Sequence, residues 1–141
     1  MSFSSDVHRI AKDMGVRAET LAEASVVELF TSVIRDTPVD EGRLRGNWQT
    51  TENSPATGEL DRMDDKNEGG AVEYEVNLNV NGVGTFYLTN NLPYAQRVEF
   101  GGYSSGPNTT SGFSNKAPRG MVRKNAKRIN QIVRKKARGL N

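Results

Sequence analysis

The residue types that most often perform catalysis are scarce in this sequence. His8 is the only histidine, there is no cysteine, and no pair of carboxylates has a spacing suited to general acid–base chemistry. One histidine cannot form a histidine-based metal site, and His8 is expected on the exposed side of a helix. Glycine-rich phosphate loops, nucleophile elbows and zinc-protease motifs are also missing. We therefore expect neither an enzyme nor a bound cofactor.

The acidic residues between positions 61 and 68 suggest calcium as a ligand, because carboxylates are its preferred protein donors. They are Asp61, Asp64, Asp65 and Glu68. Their spacing lacks the alternating ligands, the central glycine and the final bidentate glutamate of a calcium-binding loop. A solvated acidic loop is the interpretation that we favour.

Basic residues dominate the C-terminal segment. Residues 116–138 contain ten basic side chains and no acidic one, whereas the rest of the chain has nine basic against 17 acidic. Two partners fit such a segment: a nucleic-acid backbone, or an acidic protein surface. The segment lacks interleaved aromatic residues, which argues against stacking on single strands. The outward residues that we expect to make the contact are Arg123, Lys127, Arg134 and Lys135.

Helices are expected at the N-terminal end, over residues 1–36. Apolar residues recur at helical spacing from Val7 to Met14, and Ser5 or Asp6 could cap the start. Gly15 predicts a break. A wide apolar arc then indicates a central core helix that Pro38 ends.

An antiparallel sheet of about four strands is expected over residues 43–100, with a polar loop at 51–70. Leu44, Gly46 and Trp48 alternate with polar residues, which predicts a first strand. Arg43 and Arg45 would then face outward, either as rim contacts in an assembly or as solvated arginines.

The remaining strands follow in a meander. Residues 72–80 alternate apolar and polar side chains over nine positions, which is the clearest strand signal in the chain. Asn81-Gly82 predicts a hairpin turn. A return strand at 86–90 and a last strand at 97–100 complete the predicted sheet. Trp48, Tyr94 and Phe100 are expected in or beside its packed face.

The C-terminal part is expected to be a loop and then a helix. Residues 101–117 are rich in glycine, serine and asparagine and form an extended loop in which Tyr103 and Phe113 are apolar anchors. Residues 118–138 predict a basic amphipathic helix, with Pro118 in its first turn. The fold class is therefore α+β, with a long N-terminal helix and the C-terminal helix packed on the sheet.

Composition is consistent with one domain. The 141 residues have a hydrophobic content of only 35%, which predicts that neighbouring subunits supply part of the burial. The sequence has no apolar run long enough for a membrane helix and no signal peptide at its start, so we expect no membrane partner.

Three segments together resemble a phage protein family. The first reads Pro-Val-Asp-x-Gly-x-Leu-Arg-x-x-Trp at 38–48, and the second reads Asn-x-x-x-Tyr-Ala-x-x-x-Glu-Phe-Gly at 90–101. The third reads Ala-Pro-x-Gly-Met at 117–121 and leads into the basic helix. In this order they resemble the gene-product-ten-like minor tail, neck or tail-completion proteins of long-tailed phages, over roughly positions 20–140. Glu41 stands where the family usually has threonine, a change that a turn should tolerate.

The resemblance implies a structural virion protein. Such a protein would be made in the host cytoplasm and would form a ring between the head connector and the tail. Its partners would be copies of itself, the connector and the tail-tube or tail-terminator proteins, with DNA in the channel as an open alternative for the basic helix. The competing hypothesis is a nucleic-acid-binding domain without sequence preference that uses this helix.

Overall fold

A computed structural model describes residues 2–39, 42–64 and 85–141 of the chain. These ranges contain six helices and four short strands in a mixed α+β arrangement. The helices are α1 (Phe3–Met14), α2 (Ala18–Arg35), α3 (Arg43–Gly46), α4 (Ala95–Phe100), α5 (Val122–Ala126) and α6 (Ile129–Leu140). The strands are β1 (Trp48–Glu52), β2 (Phe86–Asn90), β3 (Thr109–Thr110) and β4 (Phe113–Ser114). None of these helices has the length and apolar character that a membrane crossing requires.

The two N-terminal helices match the prediction, including the break between them. Gly15 ends α1 in the left-handed conformation at φ 70°, and α2 begins three residues later. The cap is different from the one expected. The side chain of Ser2, rather than that of Ser5 or Asp6, accepts a hydrogen bond from the Ser5 backbone at 3.1 Å. The helix therefore starts earlier than the apolar spacing indicated.

The predicted first strand is wrong over its first half, because residues 43–46 form the helical turn α3 and β1 begins only at Trp48. Asn47 stabilises this turn. Its side-chain amide donates to the Arg43 carbonyl at 2.9 Å, and its side-chain oxygen accepts from the Leu60 backbone at 2.7 Å. Alternation over a few residues is a weak signal beside such side-chain contacts with the backbone.

The described strands form two separate two-stranded antiparallel sheets. In the larger sheet β1 pairs with β2, with Trp48 opposite Asn90 and Glu52 opposite Phe86. The predicted return strand at 86–90 is thus confirmed, whereas a four-stranded sheet is not. The predicted strand at 72–80 and its hairpin lie outside the described residues.

The last predicted strand, at 97–100, is instead the helix α4. Ala95, Val98 and Glu99 are buried, and their i, i+3, i+4 spacing places them on one side of a helix. Alternation of side chains over four residues was too short to distinguish the two structures. The helical assignment also turns Phe100 outward.

Only one of the three aromatic residues predicted for the packed face is buried there. Trp48 is 4% exposed, but Tyr94 is 41% exposed and Phe100 is 63% exposed. The expectation for Tyr94 and Phe100 was therefore wrong, and both lie on the surface because α4 replaces the strand.

The C-terminal part also differs in detail. A small hairpin, β3 with β4, lies within the loop expected at 101–117. The helix predicted over 118–138 is two helices, α5 and α6, and Pro118 precedes both of them. The buried face of α6 consists of Ile132, Val133 and Ala137, while Val122 is 40% exposed.

The helices α5 and α6 run back along α2. Near the C-terminal end of α2, Asn125 donates to Asp36 at 2.9 Å and Arg128 donates to Ser32 at 3.1 Å. Near the other end of α2, Leu21 packs in one cluster with residues of α6 and α1. A second cluster joins the C-terminal end of α2 to α3, β1 and α4. The chain thus has one apolar cluster at each end of its longest helix.

Candidate interaction surface

The three sequence segments that carry the family resemblance meet in one apolar cluster. Each of them contributes buried side chains that pack beside Val33 and Ile34 of α2. These side chains are Leu44, Trp48, Leu92, Ala95, Val98, Ala117 and Met121. The three segments are separated in the sequence, but they form a single packed unit in the fold.

Hydrogen bonds link the first segment to α2 and to the second segment. The Trp48 indole N–H donates to the Thr37 hydroxyl at 2.7 Å, and this hydroxyl donates to the Val33 carbonyl at 2.8 Å. The Asn90 side chain donates to the Leu44 carbonyl at 2.7 Å. Buried polar groups with partners of this kind fix one arrangement of the cluster.

Glu99 links the second segment to the third. Its buried carboxylate accepts from the backbone N–H groups of Met121 at 2.6 Å, Val122 at 2.7 Å and Arg123 at 3.0 Å. It also accepts from Arg123 Nε at 2.9 Å. These N–H groups open α5 and would otherwise lack acceptors within the helix.

The same contacts set the charge state of Glu99. Burial by itself raises the pKa of this carboxyl, because the charged form is desolvated. The backbone N–H groups of Val122, Met121 and Arg123, together with the Arg123 guanidinium, lower the pKa below its ordinary value. Glu99 is therefore ionised at neutral pH and serves as an anchor for α5.

Gly120 allows this close approach. A Cβ at position 120 would lie 2.6 Å from the Glu99 carbonyl oxygen and 2.8 Å from Oε2 of its carboxylate. The residue also has φ +77°, which side chains rarely adopt. Glycine is consequently the residue that fits between α4 and α5.

An exposed aromatic surface lies beside this anchor. The Arg123 guanidinium stands 4.8 Å from the centroid of the Phe100 ring and also donates to the Glu99 carbonyl oxygen. Next to Arg123, Val122 is exposed as well. We call Phe100, Val122 and Arg123 the Phe100 surface. Stacked guanidinium and aromatic groups of this kind are common at protein contacts.

The surroundings of the Phe100 surface are cationic. Arg97, one turn before Phe100 on α4, lies over the Tyr103 ring at 5.6 Å from its centroid. Arg119 and Lys127 are exposed on the neighbouring segments. From residue 86 to 141 the chain has eleven basic side chains, and its single acidic one, Glu99, is buried.

Arg43 and Arg45 do not form the common outward face that a strand would have given them. Arg43 is exposed and pairs with Glu59 at 3.1 Å. Arg45 is buried and pairs with Asp64 at 2.8 Å, so its predicted surface role is wrong. The reason is α3: residues two apart share one face of a strand but point apart on a helix.

Tyr103 and Phe113 hold the segment 101–117 against the body. Both rings are half-buried, and Tyr103 packs on the cluster that contains Trp48. The Phe113 ring lies 3.2 Å from where a Cβ on Gly101 would be. Within the described part of the chain they act as anchors, and neither belongs to the Phe100 surface.

The predicted contact residues of the C-terminal helix fall into three environments. Arg123 is engaged with Glu99 and Phe100, and Lys135 lies 3.6 Å from Glu28. Lys127 and Arg134 are exposed and have no ion pair among the described residues. Only these last two are available as uncompensated cations.

The described ranges contain no group of three or more histidine or carboxylate side chains that is placed to hold a metal ion. Asp64, a member of the acidic cluster, forms an ion pair with Arg45. Asp65 and Glu68 lie outside the described residues. His8 is exposed, and its Nδ1 lies 2.8 Å from the Ser4 carbonyl oxygen.

An open groove of ≈ 770 Å³ lies between the first two segments and the β3–β4 loop. Leu44, Leu92, Tyr94 and Tyr103 contribute to its lining. Among its described lining residues, the charged ones are Arg43, Glu59 and Lys116, and the first two pair with each other.

No protein-family model, curated protein or solved structure matches this chain.

Two important residues, Glu99 and Phe100, were misplaced by the sequence reasoning. The signal for α4 was present, because Ala95, Val98 and Glu99 recur at helical spacing between Pro93 and the following glycines. Nothing in the sequence revealed that Glu99 would accept the N–H groups of a helix 22 to 24 residues later.

Proposed function

We propose that this chain is a structural virion protein of the head–tail interface of a long-tailed phage. It forms a ring, as a neck or tail-completion subunit, and joins the head connector to the tail. Its partners are further copies of itself, the connector and the tail-tube or tail-terminator proteins. It performs no catalysis and is found in the virion.

One observation supports this proposal above the others. The three segments that resemble the phage family form the apolar cluster around Trp48 and the Glu99 anchor. Their residues thus form one packed unit, as expected if the three segments are the conserved core of that family's fold. The exposed Phe100 surface adds a site for contact with another protein.

The direct test is co-expression with the connector and tail proteins encoded by neighbouring genes, followed by electron microscopy. We expect rings that contain this chain at the junction of head and tail. Omitting the chain should leave full heads and separate tails. Joined particles that form without it would overturn the proposal.

A second function, nucleic-acid binding without sequence preference, is favoured by one specific observation. Lys127, at the C-terminal cap of α5, and Arg134, on α6, are exposed and have no ion pair among the described residues. Cations that replace counterions on a phosphate backbone give binding that weakens steeply with salt.

The double variant K127E/R134E tests this second function. If it operates, the wild-type protein retards a duplex of random sequence and the affinity falls steeply as salt is added, whereas the variant does not bind. Failure of the wild-type protein to bind at low salt would exclude it. The pair K12E/R17E is the control, because it makes the same charge change at exposed positions of the N-terminal helices.

A further inference from the structure

We propose that the Phe100 surface of one subunit binds the N-terminal half of α2 of a second copy, at the exposed carboxylates of Glu19 and Glu23. This inference rests on the proposed ring and names the contact that builds it. It differs from a contact made by the basic C-terminal helix alone.

The Phe100 surface is preorganised for a protein contact. The Arg123 guanidinium is fixed by Glu99 and covers one face of the Phe100 ring, so neither group loses much freedom on binding. Phe100 is 63% exposed although it is large and apolar. Arginine and large aromatic side chains of this kind contribute most of the binding energy at protein interfaces.

The chain itself carries the complementary charge. Residues 1–85 have 16 acidic and eight basic side chains, a net charge of −8, while residues 86–141 have one acidic and eleven basic, a net charge of +10. The single acidic residue of the second part is Glu99, which is buried and fully bonded within its own subunit. An acidic surface on another copy is therefore the complementary partner.

Within the described part of the chain, Glu19 and Glu23 offer such an acidic surface. Both are exposed, lie one turn apart on α2, and form no ion pair within the described residues. Arg17, at the start of α2, is the nearest cation along the chain.

The two surfaces adjoin opposite ends of α2. Glu99 and Arg123 adjoin the C-terminal end of α2, where Lys124 and Asn125 contact Asp36. Glu19 and Glu23 occupy the first two turns of α2, and 18 residues of helix span about 27 Å. A contact between two different surfaces of identical subunits is heterologous and propagates head to tail, and it gives the proposed ring where the rotation between neighbouring subunits closes.

A nucleic acid fits the Phe100 surface less well. The Arg123 charge is already matched by Glu99, so this guanidinium is a poor site for phosphate. Single strands require a series of aromatic platforms for successive bases, and Phe100 is a single strongly exposed ring beside an aliphatic side chain.

The experiment uses two variants of the full chain that each remove one surface. F100A/R97E removes the aromatic ring of the Phe100 surface together with the neighbouring Arg97 charge, and it keeps the acidic surface. E19K/E23K removes the acidic surface and keeps the Phe100 surface. Sedimentation velocity over a range of concentrations should show higher oligomers for the wild-type protein. Each variant alone should be monomeric, with self-association at least about tenfold weaker. Circular dichroism should show that both variants remain folded.

Mixing the two variants gives the decisive result. Each retains the surface that the other lacks, so an equimolar mixture should form heterodimers and nothing larger. K12E is the matched control, because it reverses a charge at an exposed position of α1, outside both surfaces, and should assemble like the wild-type protein.

Several outcomes would overturn this contact. A wild-type protein that stays monomeric at all concentrations, variants that assemble normally, or a mixture that stays monomeric would each exclude it. Rings that persist in F100A/R97E would leave the proposed head–tail function intact and move the contact elsewhere. Loss of DNA retardation in F100A/R97E without loss of assembly would assign the surface to nucleic acid.

Discussion

Arg45 and Asp64, 19 residues apart in the sequence, form an ion pair of 2.8 Å that is almost completely enclosed, with side chains 4% and 8% exposed. The pair ties the segment that follows β1 back to α3. A second pair nearby, Arg43 with Glu59, joins the same two segments at the surface. A comparison of the two pairs therefore separates the effect of burial on stability from the effect of the ionic contact itself.

Replacing Asp64 with Ala should lower the free energy of unfolding by about 3–5 kcal/mol, because it removes one member of an enclosed ion pair and leaves the Arg45 charge in the interior without this carboxylate. Urea denaturation followed by circular dichroism measures this. The matched variant E59A, at the exposed pair, should cost no more than about 1 kcal/mol. Equal costs for D64A and E59A would show that the Arg45–Asp64 pair is open to water in solution.

Trp48→Ala should destabilise the protein by about 3–5 kcal/mol, the usual range for loss of a large core side chain. Trp48→Phe retains an aromatic ring but not the indole N–H that Thr37 accepts. We expect it to cost less, with about 1 kcal/mol coming from the hydrogen bond. Thermal unfolding measures both variants, and an unchanged melting temperature for Trp48→Ala would place Trp48 at a surface contact.

Glu99→Gln should lower stability by about 1–3 kcal/mol at neutral pH, because a side-chain amide cannot accept from every N–H group that the carboxylate satisfies. The contacts lower the pKa of Glu99 in the folded protein, so its contribution is complete above the pKa of the unfolded chain. It is lost as the pH falls through the lower, folded-state pKa.

The pH dependence provides the check on this interpretation. The stability difference between the wild-type protein and Glu99→Gln should be constant near neutral pH and shrink below about pH 4.3, the ordinary glutamate pKa. Denaturation at a series of pH values measures it. A difference that does not change with pH would mean that the Glu99 charge contributes nothing.

Gly120→Ala should destabilise the protein more than Gly58→Ala. Both glycines have a left-handed backbone, with φ +77° and φ +79°, so both substitutions share a conformational cost of about 1–2 kcal/mol. Only at Gly120 would the new Cβ collide with Glu99, since nothing lies within 4 Å at Gly58. Chemical denaturation of the two variants compares the costs, and equal values would contradict the packing of α4 against α5.

Sequence reasoning succeeded where long apolar periodicity specified the structure. The helices α1 and α2, with the break at Gly15, followed from such patterns, whereas the burial of Trp48 was predicted from a short alternation that is a helical turn over its first half. It failed at α3 and α4, which are only four and six residues long, because tertiary contacts decide the conformation of such short segments.

For the same reason, only part of the candidate site could be predicted from the sequence. Arg123 was selected for its charge, but its position over Phe100 depends on the Glu99 anchor. The burial of Arg45 depends on Asp64, a residue that local patterns assigned to a solvated loop. Both relationships connect distant segments, so no local pattern could have indicated them.

The presence of one apolar cluster at each end of α2 has a consequence for local opening. Val7, Ile10 and Ala11 of α1 belong only to the cluster shared with Leu21, Val133 and Ala137. The helix α1 can therefore detach while the cluster around Trp48 stays intact. Native-state hydrogen exchange should then show two levels of amide protection, with the α1 amides exchanging through a partial unfolding and those of β1 only when the whole subunit unfolds.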